Sequence, residues 1–232
     1  MMRWLPARAV FSLGALLLAG TSVRAGDPGP AASPTPPAGN KAAAAADPAP
    51  AVVERHSPPE GYPSLGPDGA KDTLVFFTDY QCPVCPRAAR EMENLVARFK
   101  GELRVELHHN PLVMHRNAYD AASAAKAAQR QGKFWEYHAA LLESRTFDRA
   151  ALIDLAGRLG LDRARFVRDF DDPKLRDRVT AEAKEALDAN ALGTPGFLIN
   201  GHVEVGWASL PWLEQVVRTH SRQASEAAGT KK

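Results

Sequence analysis

The sequence predicts an α/β domain in which an all-helical insert separates a βαβ unit from a β-hairpin and a closing helix. Three observations predict this fold class. An apolar run, an amphipathic helical pattern and a second strand pattern follow one another between residues 73 and 108. Helical patterns then fill residues 113 to about 190, and strand patterns return on both sides of Asn200-Gly201 before one last helical pattern.

The first 25 residues have the pattern of a secretory signal peptide. Arg3 and Arg8 precede the apolar run AVFSLGALLLAG, and Val23-Arg24-Ala25 fits a cleavage site after Ala25. The apolar run is short for a transmembrane helix, which needs about 20 residues. An uncleaved membrane anchor is the alternative. We therefore expect an exported protein, periplasmic or otherwise extracytoplasmic, which stays tethered to the membrane if the signal is not cleaved.

Residues 26–62 are predicted to form a disordered linker, because they are rich in proline and alanine and contain few large apolar side chains. Residues 63–222 are predicted to form the folded domain, and residues 223–232 a disordered tail. Cleavage of the signal removes three arginines and no acidic residue, so the mature chain has a net charge of about −1. This balance, without a basic run, does not indicate a nucleic-acid partner.

The βαβ unit begins with a buried strand at Thr73–Thr78, which is continuous in apolar and β-branched residues. A helix is expected to begin at Pro83, the first helical position, and to end at Gly101. The alternating residues Leu103–His108 predict a second strand. The two strands should be parallel, because a helical crossover connects them.

The insert is predicted to contain helices at Asn117–Gln131 and Phe134–Ser144, followed by three helices that carry aspartate N-caps. The caps are Asp148, Asp162 and Asp172, and the last of these helices ends near Asp188.

Beyond the insert, Asn200-Gly201 suits a type I′ turn between two antiparallel strands, and Ser209–Pro211 opens the closing helix. This order of elements, with the insert between its two halves, is that of a thioredoxin fold.

Cys82 and Cys85 are the only two cysteines of the chain, and they lie in the sequence CPVC together with Pro83 and Val84. Three interpretations are open: a structural disulfide, half of a zinc site, or a redox pair. A disulfide here would close a very small loop and contribute little stability. A zinc site needs two further ligands, and no histidine pair stands beside the motif with suitable spacing. We predict a redox pair, with neither a metal nor a cofactor.

Three segments resemble the DsbA-like thiol–disulfide oxidoreductases, in the branch whose motif reads CPxC. They are FFTDYQCPVC, NPLVMHRNAYDAASAAKAAQRQGKFWEYHAALLES and LGTPGFLING, and the resemblance covers about residues 64–218. It implies that the Thr194–Pro195 bond is cis, that this proline faces the CPVC motif, and that the backbone of Thr194 pairs with an extended substrate segment.

The position of the cysteines predicts their chemistry. Cys82 lies at the start of a helix, where free backbone N–H groups and the helix dipole stabilise a thiolate. Cys85 lies one turn further on and is expected to be more buried. Cys82 should therefore form the mixed disulfide with a substrate, and Cys85 should resolve it.

The sequence departs from the family pattern at two positions. Phe76 stands where related enzymes often carry a buried acid, and Asp79, the nearest acid, is expected to be a turn or cap carboxylate. Val84 stands where DsbA has a histidine that helps to hold the thiolate. Both departures favour a weaker oxidant. We assign structural or solvent-facing roles to His109 and His115, and no role to Pro86.

Taken together, the sequence predicts an exported thiol–disulfide oxidoreductase that donates its Cys82–Cys85 disulfide to cysteine-containing exported proteins. A membrane or soluble redox partner would then reset the pair. A disulfide reductase or isomerase is the first alternative, and a thioredoxin-fold module that binds a partner without turnover is the second.

Overall fold

A mixed six-stranded sheet organises the part of the chain, residues 53–206 and 209–229, that the computed structural model describes. Its strands are β1 (Arg55–His56), β2 (Ser64–Leu65), β3 (Asp72–Thr78), β4 (Leu103–His109), β5 (Gly196–Ile199) and β6 (His202–Val205). Their spatial order is β1-β2-β4-β3-β5-β6. β3 and β4 are parallel, as predicted for a βαβ unit, and the other neighbouring strands are antiparallel.

Seven helices accompany the sheet within these residues. They are α1 (Cys85–Arg98), α2 (Ala118–Gln129), α3 (Phe134–Glu143), α4 (Arg149–Arg158), α5 (Arg163–Phe170), α6 (Pro173–Asp188) and α7 (Leu210–Gly229). Helices α2 to α6 form the insert between β4 and β5. The fold class predicted from the sequence, a thioredoxin fold with a helical insert, is confirmed.

The local signals of the sequence correspond to real contacts. The side chains of Asp148, Asp162 and Asp172 each accept a hydrogen bond from a backbone N–H in the first turn of their helix. Asn200 and Gly201 have φ angles of 48° and 84°, the two positive values that a type I′ turn requires. These caps and the hairpin turn therefore form as predicted.

Neighbouring side chains of β3 pack on opposite faces of the sheet. Phe76 belongs to the main apolar core, together with residues of α1 and α7 such as Met92 and Leu213. Phe77 packs against Ala186 and Ala191, at the end of α6 and just beyond it. β3 is thus covered on both faces, and the CPVC motif follows shortly after its carboxyl end.

Helix α2 lies at the centre of the insert, and its alanines allow the other helices to pack closely around it. Ala121, Ala124, Ala125, Ala127 and Ala128 are all fully buried. Because alanine adds only one carbon beyond the backbone, neighbouring helices can approach α2 closely. The buried residues of α2 also include Lys126, whose charge requires a partner.

The structure differs from the sequence predictions at three boundaries. Arg55–His56, placed in the disordered linker, forms β1 and pairs with β2. Helix α1 begins at Cys85 and not at Pro83, with Pro86 in its first turn and Val84 as its N-cap residue. Helix α7 continues to Gly229, past residue 222, where the domain was expected to end. The predicted signal peptide lies outside the described residues.

Candidate active site

Strand β3 carries the cysteines to the carboxyl end of the parallel β3–β4 pair. The chain turns after Thr78, and the Cys82 N–H donates to the Asp79 carbonyl oxygen at 3.1 Å. The Cys85 N–H donates to the Cys82 carbonyl oxygen at 3.3 Å where α1 begins. Both cysteines are free thiols, and the exposed fraction is 4% for Cys82 and 0% for Cys85. The second cysteine is the more buried one, as predicted.

The surroundings of Cys82 stabilise its thiolate. A hydrogen bond from the Cys85 thiol lowers the pKa of Cys82 from 9.0 to about 5, with smaller contributions from the Thr194 side chain and from the backbone N–H groups of Val84 and Cys85, although burial opposes the shift. Cys82 is therefore largely ionised at neutral pH. The thiolate is the form of cysteine that reacts with disulfides.

Cys85 is tuned in the opposite direction. Its hydrogen bond to Cys82 raises the pKa of Cys85 strongly, and burial raises it further. At neutral pH the pair thus holds one charged sulfur and one neutral thiol that donates to it. Such an asymmetric pair has one sulfur that could attack a disulfide and one that is held back as a thiol, as the sequence predicts for Cys82 and Cys85.

The loop before β5 brings a third chain segment to Cys82. The Thr194–Pro195 peptide bond is cis, as predicted. The Cys82 Sγ lies 3.3 Å from the Thr194 carbonyl oxygen, to which it can donate as a thiol. The structure therefore places Thr194 and Pro195 beside the first cysteine, although they are 112 residues away in the sequence.

A sequence model of the thioredoxin family matches residues 60–210, a stretch that includes both cysteines, Thr194 and Pro195. The chain belongs to the thioredoxin family. The match includes the whole helical insert of the chain. It leaves out the residues before 60 and most of α7.

Three solved thioredoxin-fold structures are similar to this family member. A thioredoxin-like oxidoreductase from Silicibacter pomeroyi is 27% identical, with a TM-score of 0.62 over 70% of this chain and 92% of that chain. The thiol-disulfide exchange protein alpha-DsbA2 from Wolbachia pipientis is 23% identical, with a TM-score of 0.60 over 68% and 86%. The catalytic domain of Proteus mirabilis ScsC is 21% identical, with a TM-score of 0.60 over 69% and 89%. The thioredoxin-fold family is as predicted, and all three structures share its fold.

The curated relatives that match this thioredoxin-family chain are larger proteins. The Na(+)/H(+) antiporter NhaA of Herminiimonas arsenicoxydans is 35% identical over 153 residues, which is 66% of this chain and 24% of the antiporter. NhaA 3 of Salinispora tropica is 36% identical over 154 residues, with the same two shares. The chain spans about a quarter of the length of these relatives, so their ion transport is not assigned to it. Within residues 53–206 and 209–229, no helix has both the length and the apolar character that a membrane crossing requires.

Two residues just before Cys82 fasten the turn to the helical insert. The Tyr80 hydroxyl and His138 Nδ1 are hydrogen-bonded at 2.9 Å. Burial raises the pKa of Tyr80 and lowers that of His138 to about 3, so both side chains are neutral at pH 7. The Gln81 Oε1 accepts the N–H of Asn117, just before α2, at 2.6 Å. The turn is therefore braced by α3 and by the start of α2.

Asp79 has more contacts than a turn carboxylate needs. Its Oδ1 accepts the Gln81 N–H at 2.8 Å, which is the turn role predicted from the sequence. Its Oδ2 also contacts the Leu112 N–H at 2.9 Å and the His115 Nδ1 at 2.7 Å. His115 thus has a structural partner in the turn itself, a contact between residues 36 apart that no local sequence signal could reveal.

His109 belongs to a buried ionic cluster at the end of β4. The Glu182 carboxylate pairs with Lys126 Nζ at 2.5 Å and with both the backbone N–H and Nδ1 of His109 at 2.8 Å. Burial raises the pKa of Glu182, but His109 and Lys126 lower it more, to about 2. The cluster joins α2 and α6 of the insert to the sheet, which agrees with the structural role predicted for His109.

The surface near the motif includes exposed apolar side chains. Val84 is 39% exposed, and Val113 and Met114 project from the loop that Asp79 anchors. In the described part of the chain, no group of three or more histidine, cysteine, aspartate or glutamate side chains is arranged to hold a metal ion.

Proposed function

We propose that this protein is an exported thiol–disulfide oxidoreductase that donates the Cys82–Cys85 disulfide to cysteine-containing extracytoplasmic proteins. One observation carries the proposal: the pKa of Cys82 is lowered to about 5 by donors from Cys85 and Val84. A stabilised thiolate favours the reduced form of the pair, and a pair that prefers to be reduced is a strong oxidant.

The reaction involves four sulfur atoms, those of Cys82, Cys85 and two substrate cysteines, and needs no other oxidant. A substrate thiolate attacks the Cys82 Sγ, the Cys82–Cys85 bond breaks, and Cys85 leaves as a thiolate that takes up a proton. A second substrate thiolate then attacks the substrate sulfur of the mixed disulfide, and Cys82 leaves as a thiolate. The substrate is oxidised to a disulfide and the pair is reduced. The low pKa of Cys82 makes it a good leaving group in the last step.

Thr194 and Pro195 are proposed to hold the substrate. The Thr194 carbonyl oxygen lies 3.3 Å from the Cys82 Sγ, so a segment paired with this backbone would present its cysteine to the reactive sulfur. Pro83 and Val84 form the rest of the active-site motif. Pro83 has no N–H, and Val84 contributes its backbone N–H to the thiolate.

A reductase or isomerase is the second candidate, and one observation favours it. The Val84 side chain is apolar and partly exposed, so it adds neither charge nor hydrogen bond to the thiolate. The Cys85 thiol and the backbone donors nevertheless lower the pKa of Cys82 without a polar side chain at position 84, and for this reason we favour the oxidase. A module that only binds a partner would show no exchange at Cys82.

The compartment and partners follow from the proposed N-terminal signal. Residues 1–25 would direct export, residues 26–52 would serve as a linker, and the reactive pair would act outside the cytoplasm, where disulfides persist. Substrates would be exported proteins with free cysteines. A membrane or soluble redox partner would reoxidise the pair.

The reduction potential of the Cys82–Cys85 pair tests the direction of the reaction. The purified protein is equilibrated with defined ratios of reduced and oxidised glutathione, and the thiols are trapped and counted. We expect a value closer to about −120 mV than to about −270 mV. A value near about −270 mV would assign the protein to the reductases. A pair that does not exchange with glutathione would instead support the binding-only module.

A further inference from the structure

The Asp79 side chain is a buried carboxylate with three polar contacts. It is fully shielded from solvent, yet it accepts the N–H groups of Gln81 and Leu112 and contacts His115 Nδ1, all within 2.9 Å. Such a carboxylate is costly to bury without these partners. It therefore ties the loop at residues 112–115 to the turn that precedes the cysteines.

The backbone of the same residue holds both cysteines. The Asp79 carbonyl oxygen accepts the Cys82 N–H at 3.1 Å. The pKa of Cys85 is raised by its hydrogen bond to Cys82 and by burial, and the Asp79 N–H acts against this rise by donating toward the Cys85 sulfur. The N–H and the carbonyl oxygen of one residue, Asp79, thus contact the two cysteines from the two peptide units that flank its side chain.

We propose that Asp79 is a positioning residue for the step in which Cys85 enters or leaves the disulfide: its buried carboxylate, held by Leu112 and His115, fixes the Asp79 backbone, whose N–H donates toward the Cys85 sulfur. This inference rests on the proposed thiol–disulfide exchange. It assigns to Asp79 a role in the resolving step, although its side chain does not replace the acid absent at Phe76.

Resolution starts from a mixed disulfide between Cys82 and glutathione. The Cys85 thiol loses its proton to solvent, and its thiolate attacks the Cys82 Sγ. The bond between Cys82 and glutathione breaks, and glutathione leaves as a thiolate. Over the attack and the resolution together, the Cys82–Cys85 pair is oxidised by two electrons and glutathione disulfide is reduced to two molecules of glutathione. A donor aimed at the Cys85 sulfur favours the thiolate that this step requires.

The test separates the attack of Cys82 from the resolution by Cys85. Reduced protein is mixed with glutathione disulfide, quenched with acid at intervals, and the mixed disulfide and the internal disulfide are counted by mass spectrometry. For Asp79→Asn we expect normal formation of the mixed disulfide and slower resolution. A rise of about one unit in the Cys85 pKa lowers its thiolate fraction about tenfold and raises its nucleophilicity about threefold, so resolution should slow about threefold.

Glu185→Gln is the matched control, because Glu185 pairs with His108 Nδ1 at the same 2.7 Å but lies on α6 and not at the turn. The control should resolve at the wild-type rate. The inference is overturned if Asp79→Asn resolves as fast as wild type, if both of its steps slow equally, or if Glu185→Gln slows resolution as much.

A second variant covers the case in which Asp79→Asn does not fold. His115→Ala keeps the carboxylate and removes one of its partners, so slower resolution with normal attack supports the inference and unchanged resolution overturns it. Wild-type protein that forms no mixed disulfide would contradict the proposed function itself. Wild-type exchange together with normal resolution in the variants would contradict only the role of Asp79.

Discussion

Cys85→Ala tests how the acidity of Cys82 arises. The hydrogen bond from the Cys85 thiol is the largest of the contributions that lower the pKa of Cys82 to about 5. The variant removes this donor but keeps the N–H groups of residues 84 and 85, because these belong to the backbone. We therefore expect the pKa of Cys82 to rise by about 1 to 2 units and to remain below 9.0.

The lowered pKa of Cys82 raises the reduction potential of the Cys82–Cys85 pair by an amount that can be calculated. Each pKa unit corresponds to about 1.4 kcal/mol, and at pH 7 only the roughly two units between a pKa of about 5 and the pH contribute. The thiolate then favours the reduced pair by about 3 kcal/mol, which is on the order of 60 mV for two electrons. Because the pKa of Cys82 is lowered, this stabilisation is complete above pH 9.0 and is lost as the pH falls through about 5.

Two measurements on the reduced protein determine the pKa of Cys82. The ultraviolet absorbance of the thiolate and the rate of alkylation by iodoacetamide are followed against pH for wild type and Cys85→Ala. Val84→Ala is the matched control, since it keeps every donor to Cys82 and should leave the midpoint unchanged. A wild-type midpoint near 9.0, or the same midpoint in wild type and Cys85→Ala, would refute the reasoning.

Two further predictions concern stability, each measured as the free energy of unfolding in urea. Glu182→Gln leaves Lys126 buried without its counter-charge and should cost about 3 kcal/mol at pH 7. Because the pKa of Glu182 is lowered from 4.5 to about 2, the cost should shrink as the pH falls through about 2, and a variant as stable as wild type at pH 7 would contradict this account. Asp162→Ala removes the cap on Arg165 N and should cost about 1 kcal/mol, whereas Asp162→Ser should retain most of the stability; equal losses would argue against capping.

The elements that the sequence could predict are those with strong local signals. Thr73–Thr78 is an unbroken run of strand-forming residues, and Asn200-Gly201 fits a type I′ turn. Asp162 precedes a helix whose first backbone N–H groups need an acceptor, and its side chain provides one. Strand β1 has no such signal, because its two residues pair through the backbone within a proline-rich segment. The start of α1 predicted at Pro83 is wrong, because the helix begins at Cys85 and it is Pro86 that lies in its first turn.

The residues of the candidate site likewise fall into those that the sequence could predict and those that it could not. The cysteines and the Thr194–Pro195 loop were found from motifs. The contact of Asp79 with His115 and the ion pair of Lys126 with Glu182 were not, because each joins residues far apart in the sequence whose meeting depends on packing of the insert against the sheet. Residue type alone cannot tell a buried carboxylate from an exposed one.

The two prolines of the CPVCP segment also determine how the site can be observed. Pro83 and Pro86 carry no amide hydrogen, so residues 82–86 contain only the exchangeable amides of Cys82, Val84 and Cys85. Those of Val84 and Cys85 face the sulfur that becomes charged when the pair is reduced. Deuterium uptake over this one peptide therefore has almost no background from other amides, and it should be slower in the reduced protein than in the oxidised one. A single mass-spectrometry peptide can thus report the redox state of the protein in a mixture, without a chemical label.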